Sequence, residues 1–265
     1  MSISLLKQEL LDGILTLTLS RPEARNALDL AAVEALHAAF DTAEKDAAVG
    51  VVVLTGEAQP NQPPEKQVFI SGADIRQLKE RTPADAFKAI NSALFRKIAD
   101  FPKATIAAMA GSAFGGGLEI ALACDLRVAA SECRYGLTET GLGILPAAGG
   151  TQRLPRLIGL GRAKEMILTG KLLDGPEAER IGLVTKAVTC AQVASAAREL
   201  AKTVQARGPL AIRLAKRAMD LSNNLSVPDG LFLEVLSQGA TFGSTDKVEG
   251  MSAFLEKRKA KFTGA

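Results

Sequence analysis

The chain is short of the side chains on which most catalytic schemes rely. It has one histidine, His37, and three cysteines, Cys124, Cys133 and Cys190. His37 stands mid-helix in Val33-Glu34-Ala35-Leu36-His37-Ala38-Ala39-Phe40, with no serine or cysteine in an elbow motif near it. It reads as structural, which leaves a Ser-His-Asp or Cys-His triad without its base. The cysteines show neither CxxC spacing nor an even count, which argues against a zinc site or disulfide framework and for reduced, mostly buried thiols. Every apolar run is broken by glycine or charge before 18 residues, so no membrane-spanning helix is expected. No charge sign dominates either: 32 Lys+Arg against 29 Asp+Glu give a net +3, weak support for nucleic-acid binding. Residues 1–20 carry acids early and do not read as a signal peptide, so a cytoplasmic protein is expected. Acid–base chemistry, if present, must be carried by carboxylates.

What remains is ample for a core. At 265 residues and 47% hydrophobic content, the length fits one globular domain, or one with a small appendage, without disulfide or metal staples. Ile14-Leu15-Thr16-Leu17-Thr18-Leu19 alternates with the period of a half-buried strand. A helix follows over Leu28 to Lys45, then a buried strand Val51-Val52-Val53-Leu54-Thr55-Gly56 and an exposed loop over 57–67. A short strand Val68-Phe69-Ile70, a helix through 84–99, a strand over 105–109, a helix opening at Gly116 and a strand over 126–129 complete the alternation. This order predicts an α/β fold. After Gly208-Pro209 the pattern is wholly helical, with Pro209 at a helix start and a last helix from Lys247 to Lys261. The division expected is a core over 1–200 and a helical C-terminal region over 201–265, packed on the core or on a neighbouring subunit. From residue 201 onward ten basic residues face six acidic ones. The tail Lys257-Arg258-Lys259-Ala260-Lys261 suits an anionic partner or a solvated helix end equally.

Glycine concentrates in Gly111-Ser112-Ala113-Phe114-Gly115-Gly116-Gly117-Leu118-Glu119-Ile120, which runs from strand into helix. Such a run lets backbone approach a ligand closely and presents free N–H groups where the helix dipole favours negative charge. It also suits close helix–strand packing, and its spacing fits neither nucleotide-phosphate motif. Ser71-Gly72-Ala73-Asp74 follows a strand, and its turn could leave the Ala73 N–H unpaired. Glu119 lies in the first turn of the Gly116 helix and Glu139 between glycines in Tyr135-Gly136-Leu137-Thr138-Glu139-Thr140-Gly141. Taken singly, each acid suits a structural role, dipole complementarity for one and solvation for the other.

Taken together, Ser71-Gly72-Ala73-Asp74-Ile75, Gly111 to Asp125, and Glu139-Thr140-Gly141-Leu142-Gly143-Ile144-Leu145-Pro146-Ala147-Ala148-Gly149-Gly150-Thr151 resemble the enoyl-CoA hydratase/isomerase (crotonase) superfamily. The resemblance runs from Arg21-Pro22-Glu23-Ala24-Arg25-Asn26-Ala27-Leu28 to the ending Glu249 to Lys259. It implies a spiral of ββα units with a C-terminal helical region that mediates trimers, commonly stacked into hexamers. It further implies that the Ala73 and Gly116 amides hold a thioester oxygen, and that Glu119 and Glu139 are the catalytic carboxylates. Preset donors where an enolate develops each lower a barrier by ~2.7–4 kcal/mol. On this reading Glu139 starts protonated and serves C2, while Glu119 activates water. The presence of both acids favours hydratase over isomerase, the nearest alternative.

The resemblance also implies an acyl-CoA substrate, with coenzyme A as part of the substrate and no separate cofactor or metal. Arg25 and Ala27 would lie by the adenine and ribose, and Ala73, Asp74, Ile75 and Arg76 along the pantetheine and adenine, with Gly116 also among the residues that bind the CoA. Phe254 and Lys257 match tail positions that reach the CoA, including that of a neighbouring subunit. Arg76 stands where relatives often carry Lys, which keeps the charge but changes the geometry. Thr138 replaces a common proline, removing a stiff residue before Glu139. The loop 57–67 is longer than in typical relatives. A non-catalytic RNA-binding role has only the basic tail to support it.

Overall fold

The computed structural model describes residues 5–265; residues 1–4, the start of the segment read as lacking a signal peptide, lie outside the described residues. The chain winds as repeated strand–strand–helix units; the first puts both its strands into a large sheet, and the next three each add one strand to that sheet and one to a small sheet before helices cover them. β1 (Leu6–Leu11) and β2 (Ile14–Leu19) form an antiparallel hairpin, and α1 (Leu30–Lys45) follows. The second unit is β3 (Val51–Gly56), β4 (Val68–Ile70) and three short helices, α2 (Ile75–Glu80), α3 (Pro83–Phe87) and α4 (Ile90–Ala99). The third is β5 (Ala104–Met109), β6 (Ser112–Phe114) and α5 (Gly116–Ala123). The fourth is β7 (Leu126–Ala130), β8 (Arg134–Gly136), α6 (Gly150–Ile158) and α7 (Leu160–Thr169). The chain closes the core with β9 (Leu173–Asp174), α8 (Gly175–Arg180), β10 (Lys186–Val188) and α9 (Val193–Gln205). Last come α10 (Pro209–Leu221), α11 (Val227–Phe242) and α12 (Thr245–Leu255).

The large sheet runs β1-β2-β3-β5-β7-β10, parallel except at the β1–β2 hairpin, and the small sheet runs β4-β6-β8-β9 with β4, β6 and β8 parallel. Crossovers between parallel strands put helices over the sheet faces, which is why Val51-Val52-Val53-Leu54 and the whole of β5 are buried rather than alternating. On α1, Asp29 accepts the Ala32 amide at 2.8 Å as the cap, and the stripe Val33, Leu36, Phe40 faces the core. Phe40 meets Phe101 edge-on at 5.1 Å between ring centroids.

Most predicted elements stand where their periodicity put them. Two do not. The helix expected through 84–99 is broken: Thr82 and Asp85 close a capping box that starts α3, and Ala89 turns left-handed (φ 50°) before α4 begins. The last helix stops at Leu255 rather than Lys261, because Lys257 is left-handed (φ 55°) and Arg258 folds back in a two-pronged pair with Glu249 (2.6 and 2.9 Å). The tail then returns along α12, where the buried Asp246 accepts the Thr263 and Gly264 amides.

The boundary drawn at residue 200 falls inside α9, which packs across β3, β5 and β7; the helices that leave the sheet begin with α10. A half-buried ion pair ties that region to the core. Lys216 Nζ of α10 lies 2.9 Å from Asp125 Oδ2, which also accepts the Thr105 amide at 2.8 Å. Cys124, Cys133 and Cys190 are free thiols, and burial pushes Cys124 up to about 12 and Cys133 to about 11. Among the described residues no helix is long and apolar enough to cross a membrane, and no three His, Cys, Asp or Glu side chains cluster to hold a metal ion.

Candidate active site

β4, β6 and β8 lie side by side and parallel, so their C-terminal ends open at one rim of the small sheet. Each strand delivers a turn to that rim: 71–74 after β4, 115–116 after β6, and 137–139 after β8. In open parallel sheets this rim is where ligand crevices form.

The Ala73 turn is set by its neighbour in the first unit. Leu28 N–H donates to the Gly72 carbonyl at 2.8 Å, and the Leu28 carbonyl accepts the Asp74 amide at 3.2 Å. In that parallel bridge the Ala73 amide is the one left over, directed away from Leu28. Across from it α5 begins. A Cβ on Gly116 would stand 3.4 Å from the Ala73 nitrogen, and one on Gly72 would stand 3.1 Å from the Gly116 nitrogen. Gly72 is left-handed (φ 99°), so glycine suits it on two counts. Gly116 is the first residue of α5, where an amide has no intrahelical acceptor. Two amides from different turns thus face one small space, and Gly117 lets them approach: a Cβ there would lie 1.7 Å from the Ile70 carbonyl oxygen.

Glu119 is one turn into α5 and 3% exposed. Its Oε1 accepts the Ala148 amide at 2.8 Å and the Gly150 amide at 2.7 Å, which leaves Oε2 free of these bonds. Burial pushes its carboxyl above the usual range, against the pull of the two amides and of Arg153. Glu139, whose loop position taken singly suits solvation, is the first residue of a 3₁₀ turn and 8% exposed. Both its carboxylate oxygens are buried without a hydrogen-bond partner. Desolvation first, and the nearby Glu119 charge after it, push its carboxyl up to about 7. The Glu139 carboxylate lies against Gly115: a Cβ on Gly115 would stand 3.0 Å from Oε1. The Gly115 carbonyl in turn accepts the Glu119 amide at 2.9 Å. The Glu139 carboxylate thus lies against the residue that precedes the free Gly116 amide, and the Glu119 charge is near enough to act on it.

Of the residues expected around the CoA, some are drawn together. The Arg25 carbonyl accepts the Ser71 amide at 3.2 Å, and Ala27 directly precedes the Leu28 bridge, so both adjoin the Ala73 turn. Asp74 caps α2 through the Arg76 amide at 3.0 Å, and Ile75 and Arg76 are exposed beside it. Phe254 and Lys257 lie elsewhere in this chain, exposed at the end of α12, where the Lys257 amide bonds back to the Phe254 carbonyl. Of the basic tail, Arg258 is neutralised by Glu249 and Glu256. The loop 57–67 is well built: the buried Gln59 bonds both to the Val68 amide and, through its own amide group, to the Val68 carbonyl. With Arg25 and Phe114 it lines a cleft of about 710 Å³.

Sequence reasoning missed two groups that shape the site. Asn26, buried and left-handed (φ 55°), donates to the Glu57 and Phe69 carbonyls at 2.9 and 3.0 Å and so ties the first unit to the second. The amides of Ala148 and Gly150, and Arg153 behind them, were also unassigned; the only signal was a Gly149-Gly150 pair with a cation four residues after Gly149.

Comparison with known proteins decides the family. The profile of the enoyl-CoA hydratase/isomerase family matches residues 9–265. The chain belongs to that family. It is 38% identical to the crotonyl-CoA hydratase of Syntrophomonas wolfei over 253 residues, 95% of either chain. It is 37% identical to the short-chain-enoyl-CoA hydratase of Clostridium acetobutylicum over 248 residues, covering 93% of this chain and 92% of that one. The crystal structure of an enoyl-CoA hydratase from Bacillus anthracis superposes with a TM-score of 0.92 at 35% identity, covering 99% of this chain and all of the other. The spiral of ββα units with its C-terminal helices is the family's fold.

Proposed function

We propose that the protein is an enoyl-CoA hydratase, which adds water across the 2,3 double bond of a 2-enoyl-CoA to give a 3-hydroxyacyl-CoA. One observation carries the reading: two buried acids of unlike environment, one gripped by amides and one unpartnered, lie close enough for the charge of one to raise the other, and the unpartnered one stands against Gly115, next to the free Gly116 amide that faces Ala73. The thioester carbonyl docks between the Ala73 and Gly116 amides. Glu119, anionic, takes a proton from water through Oε2 as the oxygen adds to C3. Charge moves through the conjugated system to the thioester oxygen, where the amides hold the enolate. Glu139, protonated, then gives its proton to C2. Glu119 ends protonated and Glu139 ionised, and proton exchange through solvent resets the pair. The scheme uses no group beyond the substrate's own coenzyme A.

Arg25, Ala27 and the turn from Ala73 through Asp74 and Ile75 to Arg76 take the CoA. Phe254 and Lys257 reach it from a neighbouring subunit of a trimer or of two stacked trimers in the cytoplasm. Support for assembly comes from α11, which has no buried residue yet presents Leu231, Phe232, Val235 and Leu236 outward.

The test is crotonyl-CoA hydration by Glu119→Gln and Glu139→Gln. Each loses about 10²-fold or more in kcat, the contribution of a placed acid or base. Near-wild-type turnover by either variant removes that residue from the mechanism.

A further inference from the structure

The turn that grips Glu119 is itself gripped by a cation. Arg153, one turn along α6, reaches back so that Nη1 donates to the Ala148 carbonyl at 3.0 Å and Nη2 to the Phe95 carbonyl of α4 at 3.3 Å. Gly149 leaves the space for it: it is left-handed (φ 112°), and a Cβ there would lie 2.0 Å from Nη1. Both hydrogen-bond partners of the guanidinium are neutral carbonyls, although the group is largely withdrawn from water. Three titratable groups face it: Glu119 on α5, Asp100 at the end of α4, and the Cys124 thiol. Asp100 is exposed and already paired with Arg96 and Arg217, and burial keeps the Cys124 thiol neutral. Glu119 is therefore the acid on which this charge acts, and a part-buried cation is least costly when an anion faces it. Glu139 has no such cation: the charge that raises its carboxyl is that of Glu119.

We propose that Arg153 is a positioning residue for the hydration: it fixes the Ala148–Gly150 turn on Glu119 and holds the site's negative charge on Glu119 rather than on Glu139. The inference rests on the hydratase reading for its catalytic consequence. Lysine cannot take over the whole role, because a point charge does not bridge two carbonyls as a planar fork does.

The variants are Arg153→Met and Arg153→Lys in the full chain. In Arg153→Met the acid limb of kcat/KM for crotonyl-CoA, set by ionisation of Glu119, moves up by about one pH unit. Its kcat falls about tenfold or more while KM changes less than about threefold. Arg153→Lys restores the position of the limb without restoring kcat. A second readout needs no turnover: titration of ¹³C-labelled glutamate carboxyls by NMR, with Glu119→Gln identifying the resonance, shows Glu119 titrating about one unit higher in Arg153→Met. Coincident Glu119 titrations in wild type and Arg153→Met overturn the inference, as does an unmoved acid limb in an active variant. If Arg153→Met does not fold, wild-type kcat in Arg153→Lys overturns it and a tenfold loss with an unmoved limb supports it. A wild type inert towards enoyl-CoAs, or an active Glu119→Gln, sinks the hydratase reading instead and leaves the NMR titration to decide the coupling.

Discussion

Glu139 holds the least comfortable position in the molecule. A buried carboxyl with neither oxygen partnered tolerates its proton and resists losing it. Its pKa is raised, so its contribution to stability is intact below about 4.5 and is lost as pH climbs through about 7. That loss amounts to roughly 3 kcal/mol across the window. Glu139→Gln cannot ionise, so its melting temperature relative to wild type should rise from pH 5 to about pH 7 and level off above it. A difference that stays flat with pH would show that the site hydrates or partners the anion. Activity should report the same group: kcat/KM of the wild type falls above about pH 7, as the acid for C2 is lost. On the proposed mechanism the raised pKa serves chemistry, because a carboxyl in its ordinary range would have no proton to give at neutral pH.

At the scale of elements, the decisive contact is α5 against β4. Gly117 allows it, since a Cβ there would lie 1.7 Å from the Ile70 carbonyl oxygen and 2.7 Å from its carbon. Gly117→Ala must lift the start of α5 from the sheet, which carries the Gly116 amide away from that of Ala73. Thermal unfolding should show a loss of about 1–3 kcal/mol from overpacking, and hydration of crotonyl-CoA should drop by about 10²-fold, as for one lost oxyanion donor. Gly161→Ala on α7 is the control, because open space surrounds it and stability should rise by about 0.4–1 kcal/mol with activity unchanged. Much of this was legible beforehand. The glycine run, the strand periods of β2, β3 and β5, and the helix start at Pro209 are local signals, and local signals survive into the fold. β1 was not foreseen, because its exposed Lys7-Gln8-Glu9 face lacks the alternation of a half-buried strand. Nor could the burial of Glu139 be foreseen: it depends on Gly115 and Glu119, brought over from a different strand of the small sheet. Arg153 was invisible for the same reason, since its meaning lies in a carbonyl of α4 and a carboxylate of α5.

At the scale of the whole molecule, the C-terminal helices carry an apolar surface that their own packing does not cover. α11 is strongly apolar, yet Leu231, Phe232, Val235 and Leu236 are each more than half exposed, and on α12 Val248, Met251, Phe254 and Leu255 add to them. A single chain seldom presents so much contiguous apolar area to water, whereas subunit interfaces bury such faces routinely. Phe254 is 82% exposed and, with Lys257, sits at the end of a helix that packs on α11 rather than on the rim of its own small sheet. If these two side chains complete a neighbour's CoA site, assembly and substrate affinity must fail together. Sedimentation of the wild type should therefore give trimers or hexamers, and Val235→Glu, which places a charge in the middle of the α11 face, should shift it towards monomer. In the same variant KM for crotonyl-CoA should rise more than kcat falls, because Glu119, Glu139 and both amides belong to one chain while part of the CoA contact does not. Lys257→Ala should raise KM without altering sedimentation. A Val235→Glu monomer with wild-type KM would confine the CoA site to one subunit, and a wild type that sediments as monomer at micromolar concentration would leave the apolar face to another partner.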